Sequence, residues 1–462
     1  MIDPVTGCEP SGHRFRRPAA LASTHGPQQE QDSTPDAGAL GDERMIEWSE
    51  SDLAVRDAVR DWIDTELRPH LDRLESGDLP PYDLVRKLFA DFGIDTVASE
   101  ALAAMLAADR RRQQPSDGTA DEPAPPSPAG DLDGAASMAA VLVSELAGVS
   151  LGSVASVTVS LGLGAGTIAS KGTLEQKERW LPRLVTAEHI AAWAITEPES
   201  GSDAFGGMTT TVRRDGDDYL LTGHKTFITN GPYADVIVVY AKLDEGDGTP
   251  VRDRPVLTFV LDRGMDGLVQ GAPFKKMGMM SSPTGELFFD RVRLTPDRLL
   301  GGEKPTGGSD DGRESARQNF VMERVGCAVL SLGIIQECHR LSIDYARQRE
   351  LWGRPIGDLQ LIQLKLAKME VARLNVQNMV FSALEHLRSG RMPSLAEASA
   401  VKLYSTEVAT DVAMDAVQLF GGNGYMAEYR VEQLARDAKS LMIYAGSNEV
   451  QVTHVAKGLL AR

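Results

Sequence analysis

The hydrophobic pattern of this chain changes period twice along its length, and that limits the folds open to it. From about Ser49, apolar residues recur at helical spacing (Leu53, Val59, Trp62 or Ile63, Leu67) as far as the helix breaker Pro69, and helical patterns continue to about residue 107. They resume near Ala135, where Thr173 and Gln176 form a capping-box pair ahead of Trp180-Leu181. From Ala191 the texture becomes short β-branched runs between turn signals: Thr209 to Val212, Tyr219 to Leu221, Val236 to Tyr240, Val256 to Leu261. Asp215-Gly216 between two of these runs reads as a hairpin. Past about Leu300 the helical period returns through Val325, Ala328, Val329, Leu332, Ile335 and Leu341 as far as Gly353-Arg354-Pro355. A second long helix is expected from Leu359 to Leu387. A third opens on the capping box Ser394 to Glu397 and is stopped by Gly421-Gly422-Asn423-Gly424.

The expected organisation is α+β multidomain and mainly α. Residues 1–44 are polar and rich in Gly, Pro and Ser, and read as a disordered tail. Residues 45–190 form an N-terminal helical domain with a disordered insertion at about 108–134, where Pro115, Pro123, Pro125, Pro126 and Pro128 cluster. A middle antiparallel β domain spans 191–300, a polar linker 301–318, and a C-terminal helical bundle 319–462.

A formal net charge of -18 argues against binding to a nucleic-acid backbone. Of three cysteines, Cys8 lies in the polar tail, while Cys327 and Cys338 sit on one helix ~16 Å apart. That separation excludes a bridge between them, and no metal site is expected. No apolar run reads as a membrane span, and the N-terminus lacks the apolar core of a secretory signal. Arg14, Arg16 and Arg17 resemble part of a transit peptide, but Asp3 and Glu9 oppose it, so a cytoplasmic rather than mitochondrial location is expected. Gly162-Leu163-Gly164-Ala165-Gly166 follows no strand and reads as small residues easing helix packing, not as a phosphate loop.

The chemistry is carried by ordered motifs. Ala194-Ile195-Thr196-Glu197-Pro198-Glu199-Ser200-Gly201-Ser202-Asp203 leaves a strand through a loop dense in hydroxyls and free amides. Phe227-Ile228-Thr229-Asn230-Gly231 follows. Together they offer hydrogen bonds to a polar heterocycle and an aromatic face to pack on it. At these residues the sequence resembles the acyl-CoA dehydrogenase family. The resemblance extends through Lys276-Met277-Gly278 with Ser281 to Thr284, through Tyr345 to Arg349 with Trp352 to Ile356 and Gln360, and through Gln418 to Gly424 with Arg436-Asp437-Ala438-Lys439. It covers about 410 residues from near Ile46.

The resemblance implies a C-terminal four-helix bundle, an FAD cofactor and an acyl-CoA substrate. Trp193, Ile195 and Thr196 would line the pyrimidine end of the flavin. Phe227 would pack on its ring, with Ile228 in the same motif and Thr229 near the reactive nitrogen. Ser202 would meet the pantetheine arm. Arg349, Trp352, Gln360, Gln418 and Gly422 would hold the adenine dinucleotide half of a neighbouring subunit's FAD, so a homotetramer, or failing that a dimer, is implied. Ser447 and Glu449 would close the flavin site. Tyr444 and Gly446 would border the substrate, and an electron-transferring flavoprotein would accept the electrons.

The base is where the chain departs from the common family pattern. Where many members carry Glu in a Tyr-Glu-Gly-Thr motif, this sequence reads Tyr444-Ala445-Gly446-Ser447, and Ala445 cannot accept a proton. Isovaleryl-CoA and long-chain members carry the base in a helical Glu-Arg pair instead, which matches Glu323-Arg324 here. Glu323 is therefore the expected base, with Arg324 near the thioester or phosphopantetheine. A second departure is Thr96-Val97-Ala98-Ser99-Glu100 in place of the family's Glu-Tyr-Gly-Gly-like segment at the substrate entrance. The rival readings are an acyl-CoA oxidase or nitroalkane-oxidase type enzyme, and a non-catalytic flavin-binding scaffold.

Overall fold

The computed structural model describes residues 46–113, 129–302 and 312–461, with side chains placed from Gly134 and from Asn319 in the second and third stretches. The expected tail, most of the Pro-rich insertion and the first half of the linker fall outside the described residues.

The N-terminal helices are α1 (Glu50–Trp62), α2 (Leu71–Ser76), α3 (Tyr82–Asp91), α4 (Ile94–Gln113), α5 (Ala129–Thr158), α6 (Gly166–Lys171) and α7 (Leu174–Val185). The capping box at Thr173 forms as expected, the hydroxyl and the Gln176 amide each satisfying an orphan backbone group. Helix α4 reaches Gln113, further into the Pro-rich region than the sequence pattern suggested, because Arg110 and Lys177 pair with Glu178 and Asp109 across the α4–α7 contact. Helix α5 breaks its φ/ψ at Ser150, whose hydroxyl bridges Ser153 of the same helix at 2.8 Å and Ser281 at 2.9 Å.

The strands are β1 (Ala191–Ala194), β2 (Thr211–Asp215), β3 (Asp218–Thr229), β4 (Val236–Leu243), β5 (Val256–Asp262), β6 (Leu268–Gln270) and β7 (Thr284–Leu294). They form one sheet in the order β1-β4-β2-β3-β7-β6, with β5 on the other edge of β4. Most pairings are antiparallel, and the Asp215-Gly216 hairpin joins β2 to β3. Two pairings are parallel, which the alternation of the sequence did not reveal: β1 and β2 lie end to end along the same edge of β4. The sixteen-residue connection between them has to bulge out from that edge, and it carries the Thr-Glu-Pro loop. Strand β4 is buried on both faces, which explains its unbroken apolar run. Ile237, Val239 and Ala241 face one core, shared with Tyr219 and Phe259; Val236, Val238 and Tyr240 face another, shared with Trp180 and Leu184 of α7.

The C-terminal part comprises α8 (Gly312–Gln348), a hairpin of β8 (Glu350–Leu351) and β9 (Arg354–Pro355), α9 (Gln360–Arg388), α10 (Leu395–Phe420), α11 (Val431–Leu441) and α12 (Asn448–Leu460). Helices α5, α8, α9, α10 and α11 share one apolar core. Gly148 and Gly333 let α5 and α8 cross closely: a Cβ at Gly333 would stand 2.1 Å from the Ser144 carbonyl oxygen. Two stretches, Gly134–Lys171 and Asn319–Gln348, reach the length and apolarity of a membrane span by composition alone. They are apolar on several faces because the bundle and the sheet cover them, with 67% and 56% of their most apolar windows buried.

Candidate active site

The first two motifs meet through a buried ion pair. Lys225 of β3 is fully buried, and its ammonium donates to Glu197 Oε1 at 2.8 Å and to the Ile195 carbonyl at 2.9 Å. Glu197 also accepts from the Thr209 and Thr210 backbone amides and the Thr209 hydroxyl. Burial raises the Glu197 carboxyl, but Lys225 and these donors outweigh it and hold it at about 2. Burial pulls Lys225 down to about 8, with Glu197 opposing. The pair is therefore ionised near neutrality. It folds the loop after β1 back onto β3, where the Thr226 amide donates to the Thr196 carbonyl at 3.0 Å.

That contact sets Thr196 beside Phe227. The backbone at Phe227 takes a φ of +57°, within a register shift between Lys225 and Ile228, so the ring turns outward and is 68% exposed. Its neighbour in the fold is Phe274, tilted at 5.9 Å. Ile228 points the other way into the core, and Thr229 pairs with Thr284 at the start of β7. An outward aromatic in a strained backbone, flanked by two half-buried threonines, suits a planar heterocycle laid over it. These residues fit a flavin.

Three other candidates from the first loop are placed differently from one another. Trp193 and Ile195 direct their side chains into the core, Trp193 donating to Tyr240 at 3.3 Å and meeting Phe320 of α8 edge-on. Ser202 is exposed on the loop. Asn230 of the same motif ties elements together: its amide donates to the Ser156 and Ala191 carbonyls, and its oxygen accepts from Tyr82 at 3.1 Å.

From Thr284 the path runs to the C-terminal helices. Asp437 of α11 accepts from the Met279 amide at 2.5 Å, and the Arg436 guanidinium donates to the Met277 carbonyl. Beyond α11 lies a turn over Tyr444 to Ser447, with φ of +58° at Ala445 and +80° at Gly446. Tyr444 shares its electrostatic surroundings with Asp437 of α11 and with Cys327 and Glu323 of α8, so the turn lies near both helices.

Glu323 is half-buried, and among the described residues it makes no hydrogen bond or ion pair. Burial raises its carboxyl to about 7, against the Arg324 and Lys402 charges that lower it. Arg324 is 3% exposed and donates to Ser399 Oγ at 3.1 Å. Burial, reinforced by the Glu323 charge, pushes the Cys327 thiol up to about 12, so it stays neutral. The structure thus assembles Glu323, Arg324, Tyr444 and Gly446 in one place. Ser447 stands at the N-cap position of α12 beside them, without a side-chain capping bond, and the exposed Glu449 is in the first turn.

Arg349, Trp352, Gln360, Gln418 and Gly422 gather at the opposite end of the bundle, and all are exposed. Trp352 occupies a two-residue hairpin turn with φ of +53° and is 84% exposed. Phe420 stacks on Tyr345 at 4.0 Å to join α8 to α10 there. The 26 residues of α8 and its end between Glu323 and Arg349 put the two groups ~39 Å apart within the chain.

A cavity of about 700 Å³ lies between α1, α5, α8 and α9. Its arginines are engaged by acids, as in Arg60 with Glu145 and Arg340 with Glu337, and it shares no residue with the groove by Phe227.

The family models for the acyl-CoA dehydrogenase N-terminal, middle and C-terminal domains match residues 124–188, 192–292 and 310–460. An acyl-CoA dehydrogenase of Bacillus subtilis is 37% identical over 304 residues, 66% of this chain and 77% of the relative. The chain belongs to the acyl-CoA dehydrogenase family. Its activity is the FAD-dependent dehydrogenation of an acyl-CoA thioester. The caffeyl-CoA reductase-Etf complex subunit CarC of Acetobacterium woodii is 32% identical over 424 residues, covering 90% of this chain and 100% of that one. Butyryl-CoA dehydrogenase from Megasphaera elsdenii superposes with a TM-score of 0.73 at 29% identity, over 90% of this chain and 100% of that structure.

The sequence left four contributors unassigned: Glu197, Lys225, Asp437 and Lys402. A lysine inside an alternating strand and a lysine on the inward face of a long helix were the available signals. Neither identifies its partner without the fold.

Proposed function

We propose that this dehydrogenase uses Glu323 as the base that removes the α-proton of the acyl-CoA thioester, giving the trans-2-enoyl-CoA. The observation that carries this reading is a helix carboxylate without a hydrogen-bonding partner, crowded enough to titrate at about 7, beside the turn where Ala445 replaces the common base. A base works best when its pKa sits near the working pH. FAD supplies the acceptor for the β-hydride when bound. Phe227 and Thr229 orient the ring, Thr196 meets its edge, Trp193 and Ile195 back that edge from the core, and Ile228 anchors the motif. Ser202 meets the pantetheine arm, Arg324, Tyr444 and Gly446 border the thioester, and Ser447 with Glu449 closes the site.

Because Arg349, Trp352, Gln360, Gln418 and Gly422 stand ~39 Å from Glu323, one chain does not bring both groups to one cofactor. We assign them to the adenine dinucleotide half of a second chain's FAD, within a homotetramer. An electron-transferring flavoprotein is the acceptor this reading favours, consistent with a relative named as part of an Etf complex. A cytoplasmic location and a role in fatty acid metabolism accompany it.

The test is an anaerobic screen of the purified holoenzyme with short, branched, long-chain and steroid-type acyl-CoA thioesters, followed by Glu323→Gln with the best of them. Flavin reduction should fall ~10²–10⁴-fold in the variant. A variant that bleaches its flavin at the wild-type rate would remove Glu323 from the mechanism.

A further inference from the structure

Among the described residues, Lys402 of α10 is a buried cation that makes no ion pair. It is fully buried, and its ammonium donates to the Gly446 carbonyl at 3.0 Å and to Asn448 Oδ1 at 2.8 Å, both neutral acceptors. Among the described residues no carboxylate lies within ion-pair distance of it. A buried ammonium is costly unless something in the site gains from its charge.

What it holds is the turn over Glu323. Ala445 and Gly446 are both left-handed, and for alanine that conformation is unfavourable unless neighbours impose it. Lys402 and Gln451 impose it together: Gln451 Nε2 donates to the Ala445 and Gly446 carbonyls at 3.1 and 2.6 Å. The clamped turn rests on α8 at the Glu323–Arg324 step, where a Cβ on Gly446 would stand 3.5 Å from Arg324 Nη2.

Resting on the assignment of Glu323 as base, we propose that Lys402 is a positioning residue for α-proton removal: it fixes the 444–447 turn against α8 and supplies the positive charge opposite Glu323. The charged and titratable groups around this carboxylate are few. Arg324 and Cys327 come from α8, Lys402 from α10 and Tyr444 from the turn; Glu449 and His454 of α12 lie further out, against Lys402 and Arg324. Cys327 and Tyr444 are held neutral by burial, so Arg324 and Lys402 are the two charges set against Glu323. Arg324 donates to Ser399 and packs beside the turn. Lys402 makes no ion pair among the described residues, so its charge acts on Glu323 first and on the exposed Glu449 second.

Lys402→Met keeps the length of the side chain and removes the charge. Its flavin-reduction rate with a saturating acyl-CoA should have an apparent pKa at least one unit above wild type. That corresponds to roughly a tenfold loss of rate below the pKa, with KM changed much less. Lys402→Arg should retain most of the wild-type profile. An infrared difference titration, reading the carboxyl band that Glu323→Gln abolishes, should show the same shift without turnover.

If Lys402→Met does not fold, Asn448→Asp answers the same question. It leaves the lysine in place, gives it an anion, and should also move the Glu323 titration upward. Unchanged titrations in a folded variant, with only thermal stability lost, overturn the proposal and make Lys402 structural. The base assignment fails separately: a fully active Glu323→Gln sinks it whatever Lys402 does.

Discussion

The buried Glu197 and the half-buried Glu323 are two desolvated carboxylates with opposite fates. Glu197 has Lys225 and three further donors against it and stays ionised far into acid, whereas Glu323 has two cations nearby but no hydrogen bond, and burial prevails. As the proposed base, Glu323 would act in its ionised form. Flavin reduction at limiting substrate should therefore rise with pH through about 7 and level off above it; a flat profile from pH 5 to 9 would contradict this. The same shift has a consequence for stability. Between the ordinary value of 4.5 and about 7 the folded state holds a proton on Glu323 that the unfolded chain has released. Stability should therefore fall as pH rises across that window, and Glu323→Gln should remove this slope in chemical denaturation. For the Glu197 pair, Glu197→Gln leaves the Lys225 ammonium buried and unpaired and should cost about 3–5 kcal/mol. Glu197→Leu with Lys225→Met should cost less than the sum of the single changes, as a double-mutant cycle would read.

At the scale of elements, the site depends on how closely helices and strands approach. Gly333 is the tightest point of the α5–α8 crossing, and α8 carries Glu323 ten residues upstream. Gly333→Ala has no flexible side chain to push aside, only the Ser144 backbone, so α8 must shift. The expected cost is about 1–3 kcal/mol, read as a lower unfolding temperature, together with slower flavin reduction as Glu323 moves. Retention of both wild-type values would show that the crossing relaxes without moving the base. The kink at Ser150 is a second joint, because its hydroxyl meets Ser281 on the loop that Asp437 also grips.

For the whole molecule, the exposed apolar surface points to assembly. Leu364, Val371 and Leu374 share one face of α9, away from the core positions Met369, Val376 and Val380, and are 50%, 58% and 44% exposed. Leu364→Glu with Leu374→Glu should lower the assembly state in sedimentation velocity. It should also reduce flavin retention, since the Arg349 group would no longer reach a neighbour's cofactor. Loss of assembly with full flavin occupancy would separate that group from cofactor binding.

The helix–sheet–helix order, the capping boxes at Thr173 and Ser394 and the motifs around Thr196, Phe227 and Arg349 were legible in the sequence. Each rests on spacing within a few residues, which local backbone geometry enforces. The alanine at 445 and the Glu323-Arg324 pair on a helix were legible for the same reason; that Glu323 is the base is the proposal made above. The parallel pairing of β1 and β2 on β4, the inward turn of Trp193, and the burial of Lys225 and Lys402 were not. Each depends on which distant segment covers a given face, and desolvation depends on the density of atoms around a group, which no local pattern encodes. The sequence supplied the candidate groups; the packing of α8, α10 and the 444–447 turn decided how far each is desolvated.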